Sequence, residues 1–266
     1  MADDAERARV LYAAASAVAQ LTLDRPEKRN ALDDVTIAEL KATLAMAQDD
    51  PAVRVVLLRA NGPDFCAGAD LSQLERIAEG AGPIENLEDA DSFGELLVRM
   101  RRMPKPIVAA VQGSAIAGGA GLATACDIIV AADDAVFGYP EVRLGFVPAM
   151  VMALLRRSVG EKRAFELAAL GERFAAAEAH GLGLVARVVP ADRLQEEALD
   201  LALALARRSA SAVQLIKRLL YGMDGMSFDE AIARGAEVNV LARLTEDTRT
   251  GVRQFLERSR ASAEER

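Results

Sequence analysis

Hydrophobic and polar positions divide this chain into two parts. As far as Val189, short apolar runs alternate with stretches whose apolar residues recur at helical spacing. Val18–Leu23, "VAQLTL", alternates and predicts a strand. Val53–Arg59, "VRVVLLR", and Ile107–Val111 are continuous apolar runs, as buried strands require. Cys126–Ala132, Ala135–Gly138 and Val185–Val189 predict further strands. Helices are predicted over Ala31–Gln48, Phe93–Met103, about Gly119–Ala125, Pro148–Ser158, Glu161–Leu170 and Ala175–His180. Prolines at 51, 104 and 106 and Gly181 supply stops between them. Asp24–Asn30, with Pro26, and Asn61–Gly62–Pro63 read as turns. After Pro190 only helical patterning remains, over Leu194–Arg207, Ala212–Tyr221, Phe228–Leu244 and Glu246–Ser259, and "RASAEER" reads as a frayed tail. Strands alternating with helices, then helices alone, imply an α/β core with a helical C-terminal region. The acidic stretch Glu75–Glu95, with Gly80, Gly82 and Pro83, is expected to be a mobile surface segment of the kind that forms lids.

Two small-residue segments interrupt this pattern. Gly118 and Gly119 sit between an apolar strand-like run and an apolar helix-like run. Glycine there allows tight packing, a left-handed turn, or approach of a ligand to backbone N–H groups. "FCAGAD" leaves the backbone of Ala67, Gly68 and Ala69 uncovered just after a strand. One exposed amide from each loop would form an oxyanion hole. Glu141 follows beside Pro140 and is a candidate for proton transfer. Its structural alternative is a surface cap or an ion pair with Arg143.

Composition narrows the chemistry. The 266 residues suit one large domain or two modest ones, and the net charge of −8 gives no general reason to bind nucleic acid or an anionic membrane. No uninterrupted apolar run is long enough for a membrane span, and the acidic N-terminal stretch lacks a signal core, so a soluble, cytoplasmic protein is expected. Cys66 and Cys126 are the only cysteines; they make neither a disulfide framework nor a zinc motif, and both read as core. His180 is the single histidine, which rules out a histidine-rich metal site and suits a structural role at a helix end. "AGGAG" lacks the spacing and acidic partner of a dinucleotide fingerprint. No metal or cofactor is expected.

Four motifs occur in one order: "DRPEKRNAL" at Asp24–Leu32, "FCAGADL" at Phe65–Leu71, "AVQGSAIAGGAGLATACDI" at Ala110–Ile128 and "YPEVRLGFVP" at Tyr139–Pro148. "AAEAHGLGLVARVVP" at Ala176–Pro190 and "TEDTRTGVRQFLERS" follow. The set resembles the enoyl-CoA hydratase/isomerase, or crotonase, superfamily over nearly the whole chain. The resemblance implies a spiral of ββα units over residues 1–193, carrying a CoA-thioester site, and a helical oligomerisation region over 194–266. It implies a homotrimer or a dimer of trimers. It also implies that the thioester oxygen lies between the amides of Ala69 and Gly118, with Glu141 as proton-transfer group. The CoA moiety, part of the substrate, would run along Ala67, Asp70 and Leu71 near Ala31, with Lys28 and Arg29 screening phosphates. Arg258 of "FLERS" stands where relatives often have a CoA-binding lysine.

This chain departs from the pattern at three places. Hydratases of the superfamily carry a second glutamate three residues beyond the oxyanion-hole glycine; here that residue is Gly121. One carboxylate suffices to move a proton between carbons and shift a double bond, whereas water addition ordinarily draws on two. A second acid from Glu75, Glu79, Glu85, Glu88 or Glu95, or a backbone-held water, would restore hydration. Ala149 stands where dienoyl isomerases carry an aspartate. "PAMVM" replaces the usual "PGAGG", and Ala149, Met150 and Met152 imply a smaller or reshaped acyl pocket. The expected activity is therefore hydration or isomerisation at C2=C3. The alternatives are a decarboxylase or carbon–carbon lyase on the same scaffold, or a CoA-thioester binder without catalysis.

Overall fold

A computed structural model describes residues 7–80 and 82–264; the acidic N-terminal residues 1–6 and the last two residues of the expected tail lie outside it. Strands β1 (Val10–Ala15), β2 (Val18–Leu23), β3 (Val55–Ala60), β4 (Ile107–Val111), β6 (Ile128–Ala132) and β9 (Arg187–Val189) form one sheet in that order. Only the β1–β2 pair is antiparallel. β5 (Ser114–Ile116), β7 (Val136–Gly138) and β8 (Arg173–Ala175) form a second, smaller sheet. Single-residue bridges extend that second layer: Leu32 pairs with Ala69, and Cys66 with Ala115.

The chain repeats one turn. β2 leads through Leu32 to α1 (Asp34–Asp49), and β3 leads through Cys66 and Ala69 to α2 (Leu71–Ala78) and α3 (Pro83–Arg102). β4 leads through β5 to α4 (Gly118–Thr124). β6 leads through β7 to α5 (Ala149–Val159) and α6 (Glu161–Leu170). Each turn places a strand in the large sheet, a short pairing in the second layer and then helix. This is the expected ββα spiral. The continuous apolar runs fill its centre: Ile107 to Val111 are all buried, as parallel strands covered on both faces must be.

The chain continues through α7 (Ala176–Gly181), α8 (Leu194–Ala206), α9 (Ala210–Gly222), α10 (Phe228–Leu244) and α11 (Glu246–Glu264). α8 buries Leu194, Ala198, Ala202 and Ala206 and packs on β3, β4 and β6, so by packing it completes the core. His180 has its Nδ1 2.9 Å from the Val185 carbonyl oxygen, a structural contact as expected.

The acidic stretch from Glu75 to Glu95 lies at the surface and is largely helical: α2 and α3 cover most of it, with Pro83 in the first turn of α3 where its missing N–H costs nothing. One expectation needs correction. The tail is helical through Glu264. No helix among the described residues is long and apolar enough to cross a membrane.

Candidate active site

The second layer opens beside Ala69. Up to Cys66 the chain pairs with β5: the Cys66 amide donates to the Ser114 carbonyl and the Ile116 amide to the Cys66 carbonyl, both at 3.0 Å. It then turns to the other neighbour. The Leu32 amide donates to the Gly68 carbonyl at 2.7 Å and the Asp70 amide to the Leu32 carbonyl at 2.8 Å. In such a pairing the N–H of the intervening residue, Ala69, points away from Leu32. Neither it nor the Gly118 amide has a hydrogen-bond acceptor among the described residues. Gly118 is the first residue of α4, where an amide lacks an intrahelical partner.

The conformation that aims the Gly118 amide sits at Ala117, with φ 51° and ψ −122°. A residue with a Cβ held there costs on the order of 1–3 kcal/mol. The Ala117 amide, donating to the Gly138 carbonyl at 2.8 Å, helps to hold it. The two loops touch: a Cβ built on Gly68, whose φ is +95°, falls 2.9 Å from the Ile116 carbonyl oxygen and 3.0 Å from the Ala117 Cβ. A Cβ on Gly119 would overlap the Cys66 carbonyl. Close packing thus explains Gly119, whereas Gly118 has room for a methyl group and leaves that room to the cavity.

Ala69 and Gly118 both line a cavity of about 590 Å³, together with α3, the segment from Glu141 to Val151, and Leu32 and Ile37. Glu141 enters from a short 3-10 turn, Pro140–Leu144, that follows β7. Tyr139, fully buried, anchors that turn, its hydroxyl 2.8 Å from Thr124 Oγ1 on α4. The Glu141 Oε2 is buried and without a hydrogen-bond partner. Burial raises the carboxyl pKa above its ordinary 4.5, and a hydrogen bond from its own backbone N–H opposes this only in part. No ion pair joins it to Arg143 among the described residues.

Position 121 is closed to a second acid. A Cβ on Gly121 would overlap Val151 Cγ2, and Val151, 3% exposed, fills that space from α5. Met150 and Ala149 line the cavity, while Met152 packs against the core. Burial pushes the Cys66 thiol up to about 12, which disfavours the thiolate that a nucleophile needs.

The predicted CoA-contacting residues have mixed settings. Lys28 is exposed at the end of a 3-10 turn. The Arg29 guanidinium is engaged by Asp64, 2.7 Å from its Nε, and by Ser114. Ala31 is buried, Ala67 half-buried and Leu71 exposed. The Asp70 side chain is buried: it accepts from the Ser72 amide at the start of α2 and lies 3.2 Å from Arg25. Arg258, exposed on α11, is not among the residues lining the cavity.

Sequence reasoning missed Arg25 and the α3 wall. Arg25, 8% exposed, binds Asp33 at 2.8 Å, Asp70 at 3.2 Å and the Ala31 carbonyl at 3.2 Å. It therefore grips both sides of the Leu32–Ala69 bridge and fixes the direction of the Ala69 amide. Arg25→Ala is expected to lower kcat by roughly ten- to a hundredfold with a smaller change in KM. Arg25→Lys should recover part of the loss; steady-state kinetics on both variants check this. The only advance sign of Arg25 was its place in the charged turn "DRPEKRN".

The family model described as enoyl-CoA hydratase/isomerase matches residues 13–266. A Thermus thermophilus protein provisionally named an enoyl-CoA hydratase is 42% identical, covering 91% of this chain and 95% of its own length. The 2,3-dehydroadipyl-CoA hydratase of Escherichia coli is 35% identical, covering 90% and 91%. Among solved structures, an enoyl-CoA hydratase of Mycobacterium smegmatis superposes with a TM-score of 0.89 at 31% identity, covering 94% of this chain and 96% of that one. With the spiral core, the helical C-terminal region and near-complete coverage in agreement, this chain belongs to the enoyl-CoA hydratase/isomerase (crotonase) family of enzymes.

Proposed function

We propose that the protein binds an acyl-CoA with its thioester oxygen between the amides of Ala69 and Gly118, and that Glu141 moves a proton on the carbons beside it. The observation that carries this is the Glu141 Oε2, buried and without a hydrogen-bond partner among the described residues, on a residue that lines the same cavity as Ala69 and Gly118. Removing a proton from C2 sends charge onto the thioester oxygen. Two fixed donors at that oxygen lower the barrier by about 3 kcal/mol each. The carboxyl raised by burial is poised to take the proton and give it back.

The reading we favour is a shift of the double bond from C3 to C2. Glu141 takes a C2 proton, the electron pair spreads over C2, C4 and the thioester oxygen, and the protonated Glu141 returns the proton to C4. Atoms and electrons balance without a metal, a nicotinamide or a water. Val151 in the space beside Gly121 supports this reading, because it puts hydrocarbon where a second acid would stand. Hydration at C3 is the second reading, supported by relatives named as hydratases, among them a mevalonyl-coenzyme A hydratase of Aspergillus fumigatus, 37% identical.

Turnover of 3-hexenoyl-CoA compared with crotonyl-CoA separates the two. Faster conversion of the 3-enoyl ester supports isomerisation, and faster loss of the crotonyl double bond supports hydration. Binding of both without turnover supports a non-catalytic binder. In either reaction the base must be ionised, so kcat/KM should rise with pH through an apparent pKa above 4.5, the ordinary glutamate value, and then level off. A pH–rate profile checks this, and an acid limb at or below 4.5 would speak against Glu141.

The expected trimer, or dimer of trimers, draws support from the C-terminal helices. Ile216 and Leu220 on α9, Ile232 and Val240 on α10 and Phe255 on α11 are all exposed, more apolar surface than a monomer commonly leaves in one region. Sedimentation velocity of the native protein tests it.

A further inference from the structure

Gly118 and Glu141 are carried by elements that leave one strand pair. β5 and β7 run parallel, with Ile116 opposite Gly138, and the Ala117 amide donating to the Gly138 carbonyl is the last main-chain link between them. Beyond it the two segments part. One becomes α4, which begins at Gly118, and the other becomes the 3-10 turn that carries Glu141. A single side-chain hydrogen bond rejoins them among the described residues, between Tyr139 and Thr124. Its direction follows from its neighbour. The Thr124 hydroxyl donates to the Ala120 carbonyl at 2.7 Å, which uses its one proton. The Tyr139 phenol is therefore the donor, 2.8 Å from Thr124 Oγ1. Tyr139, Thr124 and Ala120 are all buried, so water does not compete for these bonds.

Packing alone does not call for the phenol oxygen. The Tyr139 ring lies 6.2 Å from that of Phe174, and a phenylalanine, Phe137, lies 6.0 Å from the same ring. A buried hydroxyl is unfavourable unless bonded, so its presence points to the bond and not to the volume. The Glu141 carboxyl needs such an anchor. No other residue hydrogen-bonds it among the described residues, so the backbone of its turn sets its aim. We propose that Tyr139 is a positioning residue: by donating to Thr124 it locks the Glu141 turn onto α4, and so fixes the base relative to the Gly118 amide. Tyr139 does not line the cavity and acts only through Glu141. This rests on the reading that Glu141 is the proton-transfer group. A small displacement of a base costs rate far more than binding.

Steady-state kinetics on 3-hexenoyl-CoA or crotonyl-CoA, whichever the native protein converts faster, test it. Tyr139→Phe should lower kcat about tenfold and leave KM within about twofold. Thr124→Val, which keeps the shape and removes the acceptor, should match it, and Thr124→Ser, which keeps the acceptor, should stay near native. In a Glu141→Gln background, Tyr139→Phe should cause no further loss, as for two residues that act as one unit. Unchanged kcat in folded Tyr139→Phe and Thr124→Val, or the same tenfold loss in the Glu141→Gln background, would overturn the proposal while leaving Glu141 as the base. Turnover of neither ester by the native protein, or full turnover by Glu141→Gln, would overturn the catalytic reading and this proposal with it.

Discussion

Glu141→Gln is expected to lower turnover of the preferred acyl-CoA by about a thousandfold, within the range that general acid–base groups supply, while leaving substrate affinity within a few fold. Glutamine has the same shape and no transferable proton at neutral pH. The hole amides remain, so the oxygen should still bind. The same substitution should raise the melting temperature at neutral pH. Burial raises the Glu141 pKa in the folded chain above its unfolded value, so the folded state holds that proton more tightly. Stability from this group is full below the unfolded pKa and falls as pH rises through the folded one. Above the folded pKa the cost of a buried charge is present, and glutamine removes it. Below pH 4 the two proteins should melt alike. Single-turnover kinetics with a thermal melt at two pH values read both effects. Loss of activity with loss of stability would point to a structural role instead.

The second large effect lies away from the cavity. Lys217 of α9 is buried, its Nζ 2.7 Å from Asp127 Oδ2, 3.0 Å from the Met100 carbonyl and 3.2 Å from the Lys105 carbonyl. Asp127 also accepts from the Ile107 amide at 2.6 Å and the Tyr221 hydroxyl at 2.7 Å. This cluster joins the C-terminal helices to the ends of α3 and β4. Lys217→Met keeps the length of the side chain but leaves Asp127 buried without its cation, and should cost about 3–5 kcal/mol. Urea unfolding of the native and variant proteins measures it. Because the cluster lies outside the cavity lining, folded Lys217→Met protein should keep its turnover per active site. A change under about 1 kcal/mol would mean that the surface of α9, and not this pair, holds the helices to the core.

What the sequence revealed depended on how long each pattern ran. β2, β4, α6 and α10 have the bounds that their periodicity predicts. β5 and β8 span three residues each, and Leu32, Cys66 and Ala69 pair singly; such lengths hold too few positions to show a period. β1 is an edge strand with one buried residue in six, so it lacks the alternation that marked β2. α3 was read ten residues short because its buried residues, Leu96, Leu97 and Met100, all lie in its second half. Its first half faces the cavity and the solvent, and the polar residues that suit such a wall resemble a loop in sequence. Asn86 and Asp89 lie in that half.

The members of the candidate site stand out in sequence where a motif constrains residue type. Motif likeness pointed to Ala69, Gly118 and Glu141, and the cavity gathers all three. The means of gathering them was not legible. Ala117 adopts a backbone conformation that sequence associates with glycine. The switch of pairing from Ala115 to Leu32 is a property of two neighbouring segments that no single stretch encodes. Gly121 was visible as a missing acid, but only packing shows that Val151 has taken the space.

The convergence of two main-chain amides on one oxygen is tested most directly by a crystal structure with a saturated acyl-CoA bound. The account predicts the thioester oxygen at about 2.7–3.1 Å from both the Ala69 and the Gly118 nitrogens, with the Glu141 carboxyl beside C2. An oxygen bound elsewhere, with those two amides facing water, would contradict it.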